Sequence, residues 1–334
     1  MRVIDRNLMP PSPFLVPLFF PLIQHLRFNG FNCRLEPFTM PLVNSTRGVG
    51  VSMQQSTKIL LDGLCFGEGP RWHADRLWFS DMHDHKVLAL DLEGNVETIA
   101  EVPNQPSGLG WLPDGRLLIV SMTDCKLLCL NGDGKLSEFA DLSSLASFHC
   151  NDMVVDSSGR AYVGNFGFDF LSGADPSGAE LIMVTPEGEA SVVAQDMQFP
   201  NGTVITPDGK TMIVAETWGG ALTAFDIAAD GSLSNRRIWA QLEGAIPDGI
   251  CLDADGGLWV ASPMSSEVLR LVEGGEVTDR IKVETQAFAC MLGGADRKTL
   301  FILTADSSEP EACKQTRSGR IEIVAVDIAG AGLP

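Results

Sequence analysis

The stretch "FPNGTVITPDGK", residues 199–210, sets an Asn-Gly pair before a short apolar run and closes on a Pro-Asp-Gly turn. Val204 and Ile205 favour a strand, and Pro207 and Gly209 preset the dihedrals of a tight turn. A second apolar run, "TMIVAE", follows at once. Alone, the phrase reads as a hairpin. It decides the fold because it returns six times. The copies are "EGPRWHADRLWFSD" from Glu68, "SGLGWLPDGRLLIVS" from Ser107, "NDMVVDSSGRAYVGN" from Asn151, "NGTVITPDGKTMIVAE" from Asn201, "DGICLDADGGLWVAS" from Asp248, and a degenerate "ACMLGGADRKTLFILT" from Ala289.

In every copy the turn residue stands seven positions after the leading one, at Asp75, Asp114, Ser158, Asp208, Asp255 and Asp296. Successive copies start 39, 44, 50, 47 and 41 residues apart, and each is followed by two further strand patterns. Four strands per unit at that period is the size of a propeller blade. The expected fold is therefore all-β, a six-bladed β-propeller with four-stranded antiparallel blades. An open row of such units would expose two sheet edges, whereas a ring protects them. The early strand "TKILLDG" (57–63) has no place in the first unit. It is expected to close the ring beside "RIEIVAVDI" (320–328).

The composition agrees. Thirty-four glycines and 19 prolines indicate many turns, and 45% hydrophobic residues supply a core. The net charge of −19 argues against a nucleic-acid partner. The eight cysteines form no CxxC pair and mostly lie in apolar runs such as "GICLD", which reads as reduced structural thiols in the cytoplasm. Residues 1–52 differ, with five Arg against Asp5 and Glu36. Their apolar run "FLVPLFFPLI" is broken by prolines, is too short to span a bilayer and leads to no cleavage pattern. This segment is expected to be a poorly ordered extension, with the propeller occupying 53–334 and no membrane partner.

The first strand of a propeller blade lines the central channel, so the leading residues form one ring at one mouth. That ring reads Glu68, Ser107, Asn151, Asn201, Asp248 and Ala289. Four of the six are carboxylate or amide oxygen donors. Burying two carboxylates without a counter-charge is expensive, and no Lys or Arg stands in the ring. A divalent cation resolves the conflict. An all-oxygen set suits calcium first, with magnesium and manganese next and zinc least natural.

The Glu-Gly-Pro of the first unit, "CND" of the third, "PNG" of the fourth and "PDG" of the fifth together resemble the senescence marker protein (regucalcin)/gluconolactonase/luciferin-regenerating-enzyme family of six-bladed propellers. The resemblance spans roughly residues 57–328. It implies one divalent metal held by Glu68, Asn201 and Asp248, with Asn151 beside it as ligand or substrate contact. It also implies Asp248 as catalytic base. The implied reaction is hydrolysis of a small-molecule lactone, in which the metal polarises the ring carbonyl. Sugar-lactone members carry an arginine two residues before the Asn-Asp pair, where this chain has His149. His149, Asn151 and Asp152 are the expected substrate contacts. Met82, Met122, Phe166, Phe168, Trp218 and Met264 lie on links to the same mouth and point to a less hydroxylated ring. Two other functions fit the oxygen ring: a phosphotriester or fluorophosphate hydrolase, and a non-enzymatic calcium-binding propeller. His83-Asp84-His85 reads as a surface turn, since consecutive strand side chains alternate faces.

A chain beginning at Met53 is expected to fold and to keep full lactonase activity, because the repeat begins downstream of it. Circular dichroism and turnover of the shortened chain check this, and failure to fold would reject the proposed boundary.

Overall fold

The computed structural model describes residues 56–334. The extension read at 1–52 lies outside the described residues. Six four-stranded antiparallel sheets make up the described chain. Five follow chain order from the inside out, as in the first blade: Gly67–His73, Arg76–Asp81, Lys86–Leu90 and Val96–Glu101. The sixth takes three strands from near the chain's end, Gln286–Gly293, Thr299–Ala305 and Gly319–Ala325, and its outermost strand, Lys58–Leu64, from the beginning. Lys58–Leu64 runs antiparallel to Gly319–Ala325 with Ile59 opposite Glu322, which is the closure that "TKILLDG" was expected to provide. The six inner strands touch one another in ring order, the sixth against the first.

Position in the blade explains the sequence pattern. The inner strands Cys150–Val155 and Pro200–Ile205 are buried at every residue, being covered on both faces by neighbouring blades. The outer strand Val277–Lys282 is mostly exposed. The apolar core lies between blades: Val204, Ile213 and Leu222 of the fourth meet Ile250, Leu258 and Leu269 of the fifth. Each such side chain contributes about 1.5–3 kcal/mol on full burial.

The inner strands approach more closely than side chains allow. A Cβ added to Gly108 would fall 2.4 Å from Met153 N, one on Gly202 2.5 Å from Ile250 N, and one on Gly249 2.7 Å from the Ala289 Cα. Glycine after the leading residue is thus a packing requirement, which accounts for the repeated X-Gly pair. At the far ends of the inner strands, residues 329–333 run along the fourth, fifth and sixth blades. Leu333 pairs with Ile205, Ala331 N donates to Leu252 O (2.9 Å), and Gly330 sits over Leu292. At the donor mouth the link within the sixth blade carries a short helix, Pro310–Thr316, whose first turn is capped by Glu309 through Glu311 N (3.1 Å) and Ala312 N (2.7 Å).

Gly108→Ala and Gly202→Ala are each expected to lower stability by about 1–3 kcal/mol, since the opposing atoms are backbone and cannot yield. Gly132→Ala, with nothing within 4 Å of its added Cβ, should stay within about 0.5 kcal/mol. Urea titrations of the three variants decide it; equal midpoints would contradict the packing argument.

Candidate metal centre at the channel mouth

The leading residues stand on β-bulges. Pairing shifts register between Glu68 and Arg71, Pro106 and Leu109, Cys150 and Met153, Pro200 and Thr203, and Ala287 and Ala289. A bulge gives one strand an extra residue and re-aims a side chain. Glu68, Ser107, Asn151 and Asn201 lie on these bulges, and Asp248 lies just ahead of the fifth inner strand, its N–H donating to Ala261 O (3.0 Å). The sixth position corrects the sequence reading by one residue. Gly202 N bonds Asp248 O, and in the next blade Gly249 N bonds Phe288 O, so Phe288 rather than Ala289 is the counterpart of Asp248. The slip arose because the sixth copy has neither an oxygen donor nor a following glycine to mark the place.

Hydrogen bonds fix the two amides. Asn151 Nδ2 donates to Pro200 O (3.3 Å), and Asn201 Nδ2 to Thr217 Oγ1 (3.2 Å), which itself donates to Pro247 O (3.0 Å). With their NH₂ groups held by the walls, the amides keep carbonyl oxygens for a ligand. Ser107 Oγ reaches Asn151 Oδ1 only at 3.4 Å. Asn151 and Asn201 are buried, Asp248 is 8% exposed, and Glu68 is half-buried. Asp248 Oδ1 is buried without any hydrogen-bond partner. Burial pushes the Asp248 carboxyl up to about 8, with the Asn201 amide opposing and the Asp152 charge adding to it. Burial also raises Glu68 well above the carboxylate range, and the charges of Asp248 and Asp152 raise it further. A buried, unpartnered carboxylate oxygen among oxygen donors is the signature expected where a cation belongs. Among the described residues no three His, Cys, Asp or Glu side chains group as a metal site. The donor set here is two carboxylates and two amides, which fits a hard cation.

One residue was missed. The sequence reading found no basic group in the ring, yet Arg71, three residues after Glu68, reaches across the inner strands to Asp152. Its Nη2 lies 2.6 Å from Asp152 Oδ1, and both side chains are buried. Asp152 occupies the slot that holds glycine in the first, second, fourth and fifth blades. That exception in the repeat was the available signal.

A second tier lies two residues ahead of the donors. There His149 stacks on Phe148 (4.1 Å between centroids), and Phe199 stacks on Phe166 at 4.5 Å with Phe170 edge-on. Burial pulls the His149 imidazole below its usual value, Asp169 opposing. The expected apolar rim divides: Met82, Met122 and Phe168 are buried, while Trp218 and Met264 are about half exposed. His83 is buried, not on a surface turn. Its Nε2 faces Ser308 O (3.2 Å), its Nδ1 faces Gln105 Nε2 (3.4 Å), and its ring stacks on Phe66. The sixth-blade link packs over it, a contact 225 residues away in sequence. A cavity of about 290 Å³ between the fourth and fifth blades, lined by Arg237, Trp239 and Glu273, lies at the opposite end from these donors.

The fold is a six-bladed propeller with four oxygen-donor side chains on or just ahead of the inner strands at one mouth. Residues 66–306 match the family model described as SMP-30/Gluconolactonase/LRE-like region, and the chain belongs to that family. It is 27% identical to a 6-deoxy-6-sulfogluconolactonase of Pseudomonas putida over 80% of this chain and 94% of that protein. It is 26% identical to a pentonolactonase of Haloferax volcanii over 83% and 96%. The crystal structure of a calcium-binding regucalcin from Agrobacterium tumefaciens shares the fold, with a TM-score of 0.71, 22% identity and coverage of 84% and 97%.

Glu68→Gln and Asp248→Asn keep side-chain shape but remove charge. Calcium is expected to raise the melting temperature of the unaltered protein over that in chelator, because a ligand bound only by the folded state stabilises it. Each variant should lose most of that increment. Differential scanning calorimetry with and without calcium checks it, and an undiminished increment would remove that residue from the centre.

Proposed function

We propose that the protein is a divalent-metal-dependent lactonase, with Glu68, Asn151, Asn201 and Asp248 holding one cation. The buried, unpartnered Asp248 Oδ1 carries the reading. Calcium is the preferred ion, with magnesium, manganese or zinc as alternatives. When bound, the cation would polarise the lactone carbonyl and stabilise the charge that develops on its oxygen. The remaining work falls to the chain. Asn151 and Asn201, fixed by Pro200 and Thr217, hold their oxygens in place without reorganisation. Asp248 takes the proton of the attacking water. With Oδ1 given to the cation, its second carboxylate oxygen is the one left to accept that proton. As the acyl–oxygen bond of the ring breaks, that proton passes to the leaving ring oxygen, yielding a hydroxy acid and the starting carboxylate.

Substrate recognition is assigned to His149, Asn151 and Asp152. The mouth favours lactones with few hydroxyls. A neutral imidazole offers one donor and one acceptor, where an arginine would offer five donors. His149 is stacked on Phe148 beside the Phe166–Phe199 pair, so the neighbouring wall is aromatic. The net charge of −19 speaks against nucleic acid as a partner. Among the described residues no helix is long and apolar enough to cross a membrane. A cytoplasmic setting is supported by the seven described cysteines, all free.

The test is a lactone panel followed by acid release, with chelator and with each divalent ion restored. We expect turnover that chelator abolishes, and kcat/KM for gluconolactone no more than about a hundredfold above that for a deoxygenated or alkyl-substituted lactone of the same ring size. A larger preference would restore the ordinary sugar lactonase. Turnover of a fluorophosphate with no lactone opened would replace the proposal by a phosphoester hydrolase.

A further inference from the structure

The donor ring carries a third carboxylate, so far assigned only to substrate recognition, and a guanidinium that the proposed reaction leaves unused. Asp152 stands where four other blades have glycine, and a side chain there cannot lie flat against the next strand. It turns back over the second blade instead, placing Oδ1 2.9 Å from the Cβ position of Gly108. There Oδ1 accepts from Met153 N (2.9 Å) and from Arg71 Nη2 (2.6 Å). Arg71 also donates from Nε to Leu109 O (2.9 Å), from Nη1 to Pro70 O (2.8 Å) and from Nη2 to Met153 O. One guanidinium thus ties the inner strands of three blades and spends its charge on Asp152. Lysine could not do this, since its single head group lacks the planar fork.

We infer that Arg71 sets the charge of the centre: paired with Asp152, it leaves Glu68 and Asp248 as the two uncompensated negative charges, the number a divalent cation neutralises. Asp152 is thereby held off the ion, and Arg71 is a positioning and selectivity residue rather than a ligand. The inference rests on the metal centre proposed above, and concerns its charge rather than the reaction.

Binding of calcium, followed by isothermal titration calorimetry on purified, chelator-stripped protein, separates this role from a structural one. Asp152→Asn keeps an acceptor oxygen for both Met153 N and Arg71 but leaves one net negative charge. It should weaken calcium about tenfold, since ligand charge tunes affinity for hard cations. Arg71→Met combined with Asp152→Asn restores two net charges while deleting the whole pair, and should return affinity to within about threefold of the unaltered protein. A purely structural pair predicts the reverse, with the double variant binding no more tightly than Asp152→Asn. That result, in protein shown folded by circular dichroism, would overturn the inference. Unaltered protein that binds no divalent ion at all would instead overturn the metal centre on which it rests.

Discussion

Everything at the donor mouth depends on how closely the six inner strands approach one another. Glycine follows the leading residue in four blades because the neighbouring backbone occupies the space of a Cβ, as at Gly108 and Gly202. That approach leaves the ring residues facing the channel, and the bulges turn their side chains into it. The propeller thus gathers oxygens from residues 68, 151, 201 and 248 without a local sequence motif. Four of the six blades contribute one such side chain each, and ring closure through Lys58–Leu64 keeps the set in one circle.

Much of this was legible because a repeat turns one local pattern into a global statement. The seven-residue interval from Asn201 to Asp208 recurs, so identifying one hairpin identified six. The closing strand was legible for a negative reason, having no partner within its own unit. Legibility stopped where the pattern lost its markers. In the sixth copy "FACML" offers no glycine and no oxygen, and the ring position moves from Ala289 to Phe288. His83 escaped because its burial comes from the loop at Ser308, which periodicity does not reveal.

Arg71 shows a different limit. A basic residue within "EGPRWH" reads as an ordinary strand charge, and its partner is 81 residues away. Local reasoning about charge in the ring counted only the leading positions, whereas a long side chain answers for a place it does not occupy. The same holds for the aromatic wall: Phe166 and Phe199 come from different blades, and their stacking follows from blade contact. The amides, in contrast, were placed in the ring from the repeat alone, and the structure puts Asn151 and Asn201 on the bulges of their inner strands with their Nδ2 groups bonded to Pro200 and Thr217.

Residues 329–333 run along the far ends of the fourth, fifth and sixth inner strands, bonding Ile205 and Leu252 and packing on Leu292. This segment fastens three neighbouring blades to one another at the end opposite the oxygen donors. Stiffness of the ring is therefore supplied partly from the far side, by residues that touch none of the donors. Changes there would loosen the spacing of the blades while leaving every donor side chain in the sequence.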